Sequence, residues 1–198
     1  MSITTIIGPM FSGKTTELIR LIDRQRVAGK KCVIIKHSSD TRFDNNSSTT
    51  DNGIYHITTH SDICYCKCDI IYLSDLTDDN IAKELTKKYQ VVGVDEGFFF
   101  KGINNFCNKL ANTGILVIVS TLESSYKQTL FPEIGDLIGS SDRLFKLTAV
   151  CMRCKNNDAF FTIRTIDSDE ELLVGDEDMY QCVCRSCLNQ FRSGRISI

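Results

Sequence analysis

Two short stretches and two cysteine pairs hold the residues whose types and spacing can do chemistry. The run Gly8-Pro9-Met10-Phe11-Ser12-Gly13-Lys14-Thr15 fits G-x-x-x-x-G-K-[ST], the phosphate-binding loop pattern. Its glycines let backbone N–H groups curl around a polyphosphate with no Cβ in the way. A helix starting near Lys14 would aim its positive dipole end at the same anion. Lys14 offers a mobile cation for the β- and γ-phosphates, and Thr15 offers a hydroxyl to Mg²⁺. The second stretch, Val91-Val92-Gly93-Val94-Asp95-Glu96, ends an apolar run on two carboxylates. At the carboxyl end of a buried parallel strand, Asp95 would hold Mg²⁺ through its water shell. Glu96, one residue on, is the candidate base for a hydroxyl or a water beside a transferred phosphoryl group. The plain alternative is a solvated acidic turn at a strand end.

Cys151-x-x-Cys154 and Cys184-x-x-Cys187 read as two knuckles of one Cys₄ zinc site, since each C-x-x-C turn presents two thiolates at one point. The 29 residues between the pairs exceed the usual zinc-ribbon spacing, so the metal would close a long loop. Cys182 offers a second register, Cys182-x-Cys184. Cys184 is preferred, because it alone completes a C-x-x-C with Cys187. Cys64, Cys66 and Cys68 alternate, with His56 and His60 just before them. In an extended segment they share one face, and they read as small buried hydrophobes. Asp40-Thr41-Arg42 opens a polar loop at a sheet's carboxyl edge, where ligands bind in open α/β folds. Arg42 suits phosphate oxygens and Asp40 a metal shell, and a solvated turn fits the same residues equally well.

These residues need a scaffold, and the hydrophobic pattern supplies one. Ile3 to Ile7 reads as a buried strand. Lys14 to Ala28 reads as a helix with Leu18, Ile19 and Ile22 on one face and Gly29 as its stop, and Cys32 to Lys36 as the next strand. A strand, helix and strand of this length imply a parallel crossover and an α/β fold. Further strands are expected at Asp69 to Leu73, Val91 to Val94 and Ile115 to Ser120, with helices from about Thr77 to Tyr89 and Gly102 to Asn112. Phe43 to Gly53 is loop chemistry. The character changes at Cys151. From there to Cys187 eight acidic residues face four basic ones, so residues 1–150 are expected as the main domain, 151–192 as a small second module and 193–198 as a tail.

Composition narrows the function. In 198 residues, Lys+Arg number 23 and Asp+Glu 25, a net charge of −2, so no global basic field is present to attract nucleic acid or an anionic membrane. The apolar start is too short for a signal peptide, and no run approaches a membrane span. A soluble cytoplasmic protein is expected. Ten cysteines in that setting suggest metal ligation and buried thiols before disulfides. A RecA-like ATPase or nucleic-acid-binding module with a structural zinc ribbon is the rival reading, and the acidic second module argues against it.

Together the motifs resemble the type II (cellular and poxviral type) thymidine kinase family. The likeness rests on G-P-M-F-S-G-K-T at Gly8 to Thr15, T-E-L-I-R at Thr16 to Arg20, D-T-R at Asp40 to Arg42 and D-E-G-x-F-F at Asp95 to Phe100. It continues through K-L-T-A-V-C-M-x-C at Lys146 to Cys154 and M-Y-Q-x-V-C-R-x-C at Met179 to Cys187. The resemblance implies a RecA-like parallel sheet and phosphorylation of thymidine at its 5′-hydroxyl by ATP and Mg²⁺. Glu96 is then the general base. Lys14, Thr15, Asp95 and Arg42 handle the phosphates, with Asp40, Thr41, Gly97 and Phe98 beside them. Leu122, Tyr126 and Phe131 match positions around the base, Tyr126 where an aromatic stacks on it. The zinc-anchored module matches the family's lasso, a loop closed over the nucleoside. Thr162, the run Glu171-Leu172-Leu173-Val174-Gly175 and Tyr180 match its nucleoside contacts, made largely by backbone. The resemblance also implies a homotetramer and feedback inhibition by dTTP. Three departures stand out. Phe98 replaces the usual glutamine, the chain is one residue longer between Cys154 and Thr162, and Glu171 replaces an apolar lasso residue.

Overall fold

The computed structural model describes residues 1–39, 55–58, 63–166 and 178–194. The elements run β1 (Ser2–Ile7), α1 (Lys14–Val27), β2 (Cys32–His37), β3 (Tyr55–Thr58), β4 (Ile63–Cys66), β5 (Asp69–Leu73), α2 (Asp79–Lys88), β6 (Val91–Val94), a 3-10 turn (Gly97–Phe99), α3 (Ile103–Asn112), β7 (Leu116–Thr121), α4 (Pro132–Ser140) and β8 (Arg143–Lys146). Four short strands and a helix follow: β9 (Ala149–Val150), β10 (Asp158–Ala159), β11 (Phe161–Arg164), β12 (Tyr180–Val183) and α5 (Arg185–Arg192).

Six strands form one parallel sheet in the order β5-β2-β6-β7-β1-β8. Side chains along each strand alternate between two cores, as a period of two requires. Ile6, Ile34 and Ile118 meet Leu18, Ile19 and Ile22 of α1 on one face. Ile3, Val33, Ile35, Val92, Val94, Val117 and Val119 pack on the other with Leu85 of α2, Phe106 and Leu110 of α3 and Leu137 of α4. Because both faces are covered, the central strands carry nearly unbroken apolar runs. Full burial of a side chain such as Leu18 or Ile22 contributes about 1.5–3 kcal/mol.

The strands and helices read from the sequence stand within a few residues of where the pattern puts them. Within the six-stranded sheet and its flanking helices two elements escape it, as α5 does beyond the sheet. The α4 helix carries Gly135 and Gly139, which weaken its propensity, and announces itself only by Pro132 at its first turn. The β8 strand is four residues at the sheet edge, exposed throughout, with no buried face to set a period.

Beyond the sheet, β9 pairs with β10 and β11 with β12, both antiparallel. A third, small core of Ala149, Ala159, Ile163, Val183, Leu188 and four cysteines lies between these strands and α5. Among the described residues no helix is long and apolar enough to cross a membrane.

Candidate active site and cysteine cluster

The phosphate-binding loop leaves β1 and enters α1 with three residues at positive φ: Gly8, Phe11 and Gly13. Gly8 is confined by its surroundings, since a Cβ there would lie 2.7 Å from both the Leu147 carbonyl oxygen and Ser12 Oγ. Pro9 turns its carbonyl across the loop, where it accepts hydrogen bonds from Ser12 Oγ at 2.8 Å and Lys14 Nζ at 2.8 Å. Lys14 is therefore not the mobile surface cation that its motif suggests. The curl of the loop folds its stem inward, and the residue is 8% exposed. The lysine charge and the first N–H groups of α1 sit at one mouth, which suits a polyphosphate.

The sheet order explains how the second half of the site arrives. The β1 and β6 strands are both neighbours of β7, so their carboxyl ends are one strand apart. Across that gap Thr15 Oγ1 donates to Asp95 Oδ1 at 3.0 Å. Ser120, on the intervening β7, donates to the same oxygen at 2.5 Å, and the Glu96 N–H adds a contact at 3.2 Å. Asp95 is buried at 3% exposure, so these donors offset much of the cost of desolvating its carboxylate. Thr15 and Asp95 are a hydroxyl and a carboxylate at one point, a donor set suited to Mg²⁺ and its water shell. Nothing in the sequence singles out Ser120 except that a polar residue ends an otherwise apolar strand.

Glu96 follows in the left-handed region, at φ 52° and ψ 49°. A non-glycine residue held there stores strain, and such strain gathers at functional sites. The turn behind it is clamped to the sheet. Gly97 packs so closely on β7 that a Cβ would lie 2.8 Å from Val119 Cγ1. Phe98 meets Phe99 at a tilt, ring centres 4.2 Å apart, and stacks against Phe131 at 5.3 Å. Phe98 is thus engaged in aromatic contacts.

Among the described residues the one cluster of potential metal ligands is Cys151, Cys154, Cys184 and Cys187, with all four Sγ atoms within 4.8 Å of one another. Cys154 and Cys184 are 3.9 Å apart. A tetrahedral zinc with bonds of about 2.3 Å needs sulfurs roughly 3.8 Å apart, so the set fits the ion. Cys182 points elsewhere, its thiol donating to the Val150 carbonyl at 3.3 Å. The thiols are electrostatically unequal. Burial opposes ionisation of Cys151, but N–H groups of Cys154, Cys184 and Arg153 aimed at its sulfur bring it down to about 6. The Asn156 N–H lowers Cys154. Burial, followed by the neighbouring thiols, pushes Cys187 up to about 12.

A family model described as thymidine kinase matches residues 1–188. The chain belongs to the thymidine kinase family. It is 58% identical to a thymidine kinase of Acanthamoeba polyphaga mimivirus over 189 residues, 96% of this chain and 82% of the relative. It is 41% identical to thymidine kinase 1 of Dictyostelium discoideum, over 94% of this chain and 77% of the relative. With the thymidine kinase of vaccinia virus strain Ankara it shares 40% identity, over 93% and 95% of the two chains.

The positions that the resemblance expects as nucleoside contacts fall into groups. Thr162 and Tyr180 lie on the paired strands β11 and β12, and both are buried. Tyr126, on the loop after β7, is covered on one face by the Arg164 guanidinium at 4.0 Å. Arg164 also hydrogen-bonds the Tyr180 hydroxyl at 3.2 Å. Phe131 caps α4 and meets Phe98, while Leu122 accepts the Thr121 hydroxyl through its carbonyl at 2.9 Å. Thr162 Oγ1 also accepts the Met10 N–H at 3.1 Å, joining the phosphate loop to the cysteine-bearing strands. Asp40, Thr41, Arg42 and the run 171–175 lie outside the described residues, as does His60, and so do the side chains of His56, Cys64 and Cys66. Cys68 is buried. Arg164 is the one residue of the aromatic group that the sequence did not disclose. A lone arginine in a β-like run carries no motif.

Proposed function

We propose that the chain transfers the γ-phosphoryl group of ATP to the 5′-hydroxyl of thymidine, giving dTMP. The observation that carries this reading is the meeting of Thr15, Ser120 and Asp95 beside a strained Glu96, in a chain of the thymidine kinase family. Bound MgATP supplies the electrophilic phosphorus and neutralises charge on the transferred group. The chain does the rest by positioning. Lys14 and the N–H groups of the loop bind the phosphates. Thr15 and Asp95 hold the metal shell, and Glu96 accepts the 5′-hydroxyl proton as the oxygen attacks in line. Gly8 to Thr15, Asp40 to Arg42, Asp95, Gly97 and Phe98 form the ATP side of this proposal.

The nucleoside side consists of Leu122, Tyr126, Phe131, Thr162, residues 171–175 and Tyr180. Residues 151–192 act as a lid whose strands are fastened by zinc on Cys151, Cys154, Cys184 and Cys187. The fit of the four sulfurs and the small core beneath them support that role. A homotetramer, inhibition by dTTP and a cytoplasmic setting belong to the same proposal and rest on family membership. Purified protein given MgATP with thymidine, deoxyuridine, deoxycytidine or deoxyadenosine should yield dTMP fastest. ATP hydrolysis without nucleoside phosphorylation, or a purine preference, would overturn the proposal.

A further inference from the structure

His37 ends β2 at the carboxyl edge of the sheet, and three polar contacts fix its ring. Nε2 faces the Ser74 carbonyl at 2.9 Å, and Nδ1 faces Ser39 Oγ at 2.6 Å and the Ser39 N–H at 3.2 Å. The Ser74 carbonyl can only accept and the Ser39 N–H can only donate, so the proton sits on Nε2 and Nδ1 is the acceptor. The ring faces are occupied as well. Phe99 lies along His37 at 5.4 Å with 28° between planes, and Phe100 meets it edge-on at 4.9 Å. Phe99 belongs to the turn that Glu96 begins, and its N–H closes that turn on the Glu96 carbonyl at 3.1 Å. A continuous file of rings, His37, Phe99, Phe98 and Phe131, thus runs through the turn that Glu96 begins, from β2 to the start of α4.

We propose that His37 is a positioning residue for Glu96, acting through Phe99, and that its two hydrogen-bonded nitrogens make the ring a rigid stop for the turn. The inference rests on Glu96 being the base. A carboxylate in the left-handed region relaxes toward ordinary backbone unless its surroundings hold it. Gly97 clamps the start of the turn against β7, and the His37 ring is the fixed object against Phe99 at its end. The same imidazole caps Ser39, which in sequence directly precedes Asp40, Thr41 and Arg42.

The test is a double-mutant cycle between His37→Phe and Glu96→Gln. Phenylalanine keeps a ring against Phe99 but loses all three anchoring hydrogen bonds. A small misplacement of a reacting group costs up to ~10²-fold, so kcat of His37→Phe should fall by about 10-fold, with KM for thymidine and ATP changed by less than about 3-fold. In the Glu96→Gln background the same change should cost almost nothing, because the group it positions is already gone. His37→Gln, which retains a donor and an acceptor, should recover part of kcat, and it serves as the probe should His37→Phe fold poorly. Equal losses in both backgrounds would overturn the positioning role while leaving Glu96 as base. An unchanged kcat in His37→Phe and His37→Gln would overturn it too. A Glu96→Gln enzyme with near-normal turnover would instead remove the base assignment on which the inference stands.

Discussion

The two ends of the proposed site are built in different ways. The phosphate end grows from the middle of a six-stranded sheet. Its loop, Asp95 and Ser120 stand on strands buried on both faces, and their geometry follows from the largest core in the molecule. The cysteine-bearing end has two-stranded pairs and a core in which Cys151, Cys184 and Cys187 are themselves members. So small an apolar core supplies little stability by itself, and metal-binding free energy then becomes folding free energy. Phosphate handling should therefore survive damage that the nucleoside lid does not.

Four experiments break or sharpen this contrast. The largest effect is expected at Glu96. Glu96→Gln removes proton acceptance while keeping the size and hydrogen-bonding reach of the side chain, so kcat should drop by at least ~10²-fold with ATP binding retained. Near-normal turnover would take Glu96 out of the mechanism. Next comes the metal. Chelation, or Cys184→Ser, should raise KM for thymidine by about 10-fold or more while ATP affinity moves far less, and Cys182→Ser should leave zinc content near one per chain. Equal damage to both substrates would erase the distinction between the ends.

Smaller again is Ser120→Ala. Losing a buried donor to Asp95 should cost about 1–3 kcal/mol, or roughly 2–4 °C of melting temperature per kcal/mol in a chain of this size. No thermal change would mean that Ser120 does not support the carboxylate. The smallest and most local concerns thiol order. In zinc-stripped protein at pH 7, under conditions where circular dichroism shows the lid still folded, Cys154, exposed and lowered, should alkylate fastest and Cys187, buried and raised, slowest. Lowering the pH should slow Cys154, because the thiolate is the nucleophile. Peptide mapping that finds Cys187 modified first would contradict the electrostatics of the cluster.

The same contrast decides what could be read from the sequence. The sheet strands announce themselves because burial on both faces leaves runs such as Val91 to Val94, and the loop announces itself because phosphate binding demands glycines and a lysine at fixed spacing. The cysteine pairs are equally plain. What escapes is whatever depends on neighbours distant in the chain. Ser120 matters because β7 lies between β1 and β6, a fact of strand order that no local pattern encodes. Arg164 matters because its guanidinium covers Tyr126 from another strand. Lys14 has the residue type that the motif asks for, but its burial follows from the loop's own curl.

The bond from the Met10 N–H to Thr162 Oγ1, together with Phe11 packed on the third core, bears on the energetics of the whole catalyst. One donor of the phosphate loop is tied to the strand that bears a proposed nucleoside contact, so a shift in either partner is felt by the other. Thermodynamic linkage then makes the effect mutual. Whatever factor the nucleotide contributes to nucleoside affinity through this contact, the nucleoside returns to nucleotide affinity. Any cooperativity between the two proposed substrates would have a physical seat in this hydrogen bond, and Thr162→Val would measure its size as the change in that shared factor.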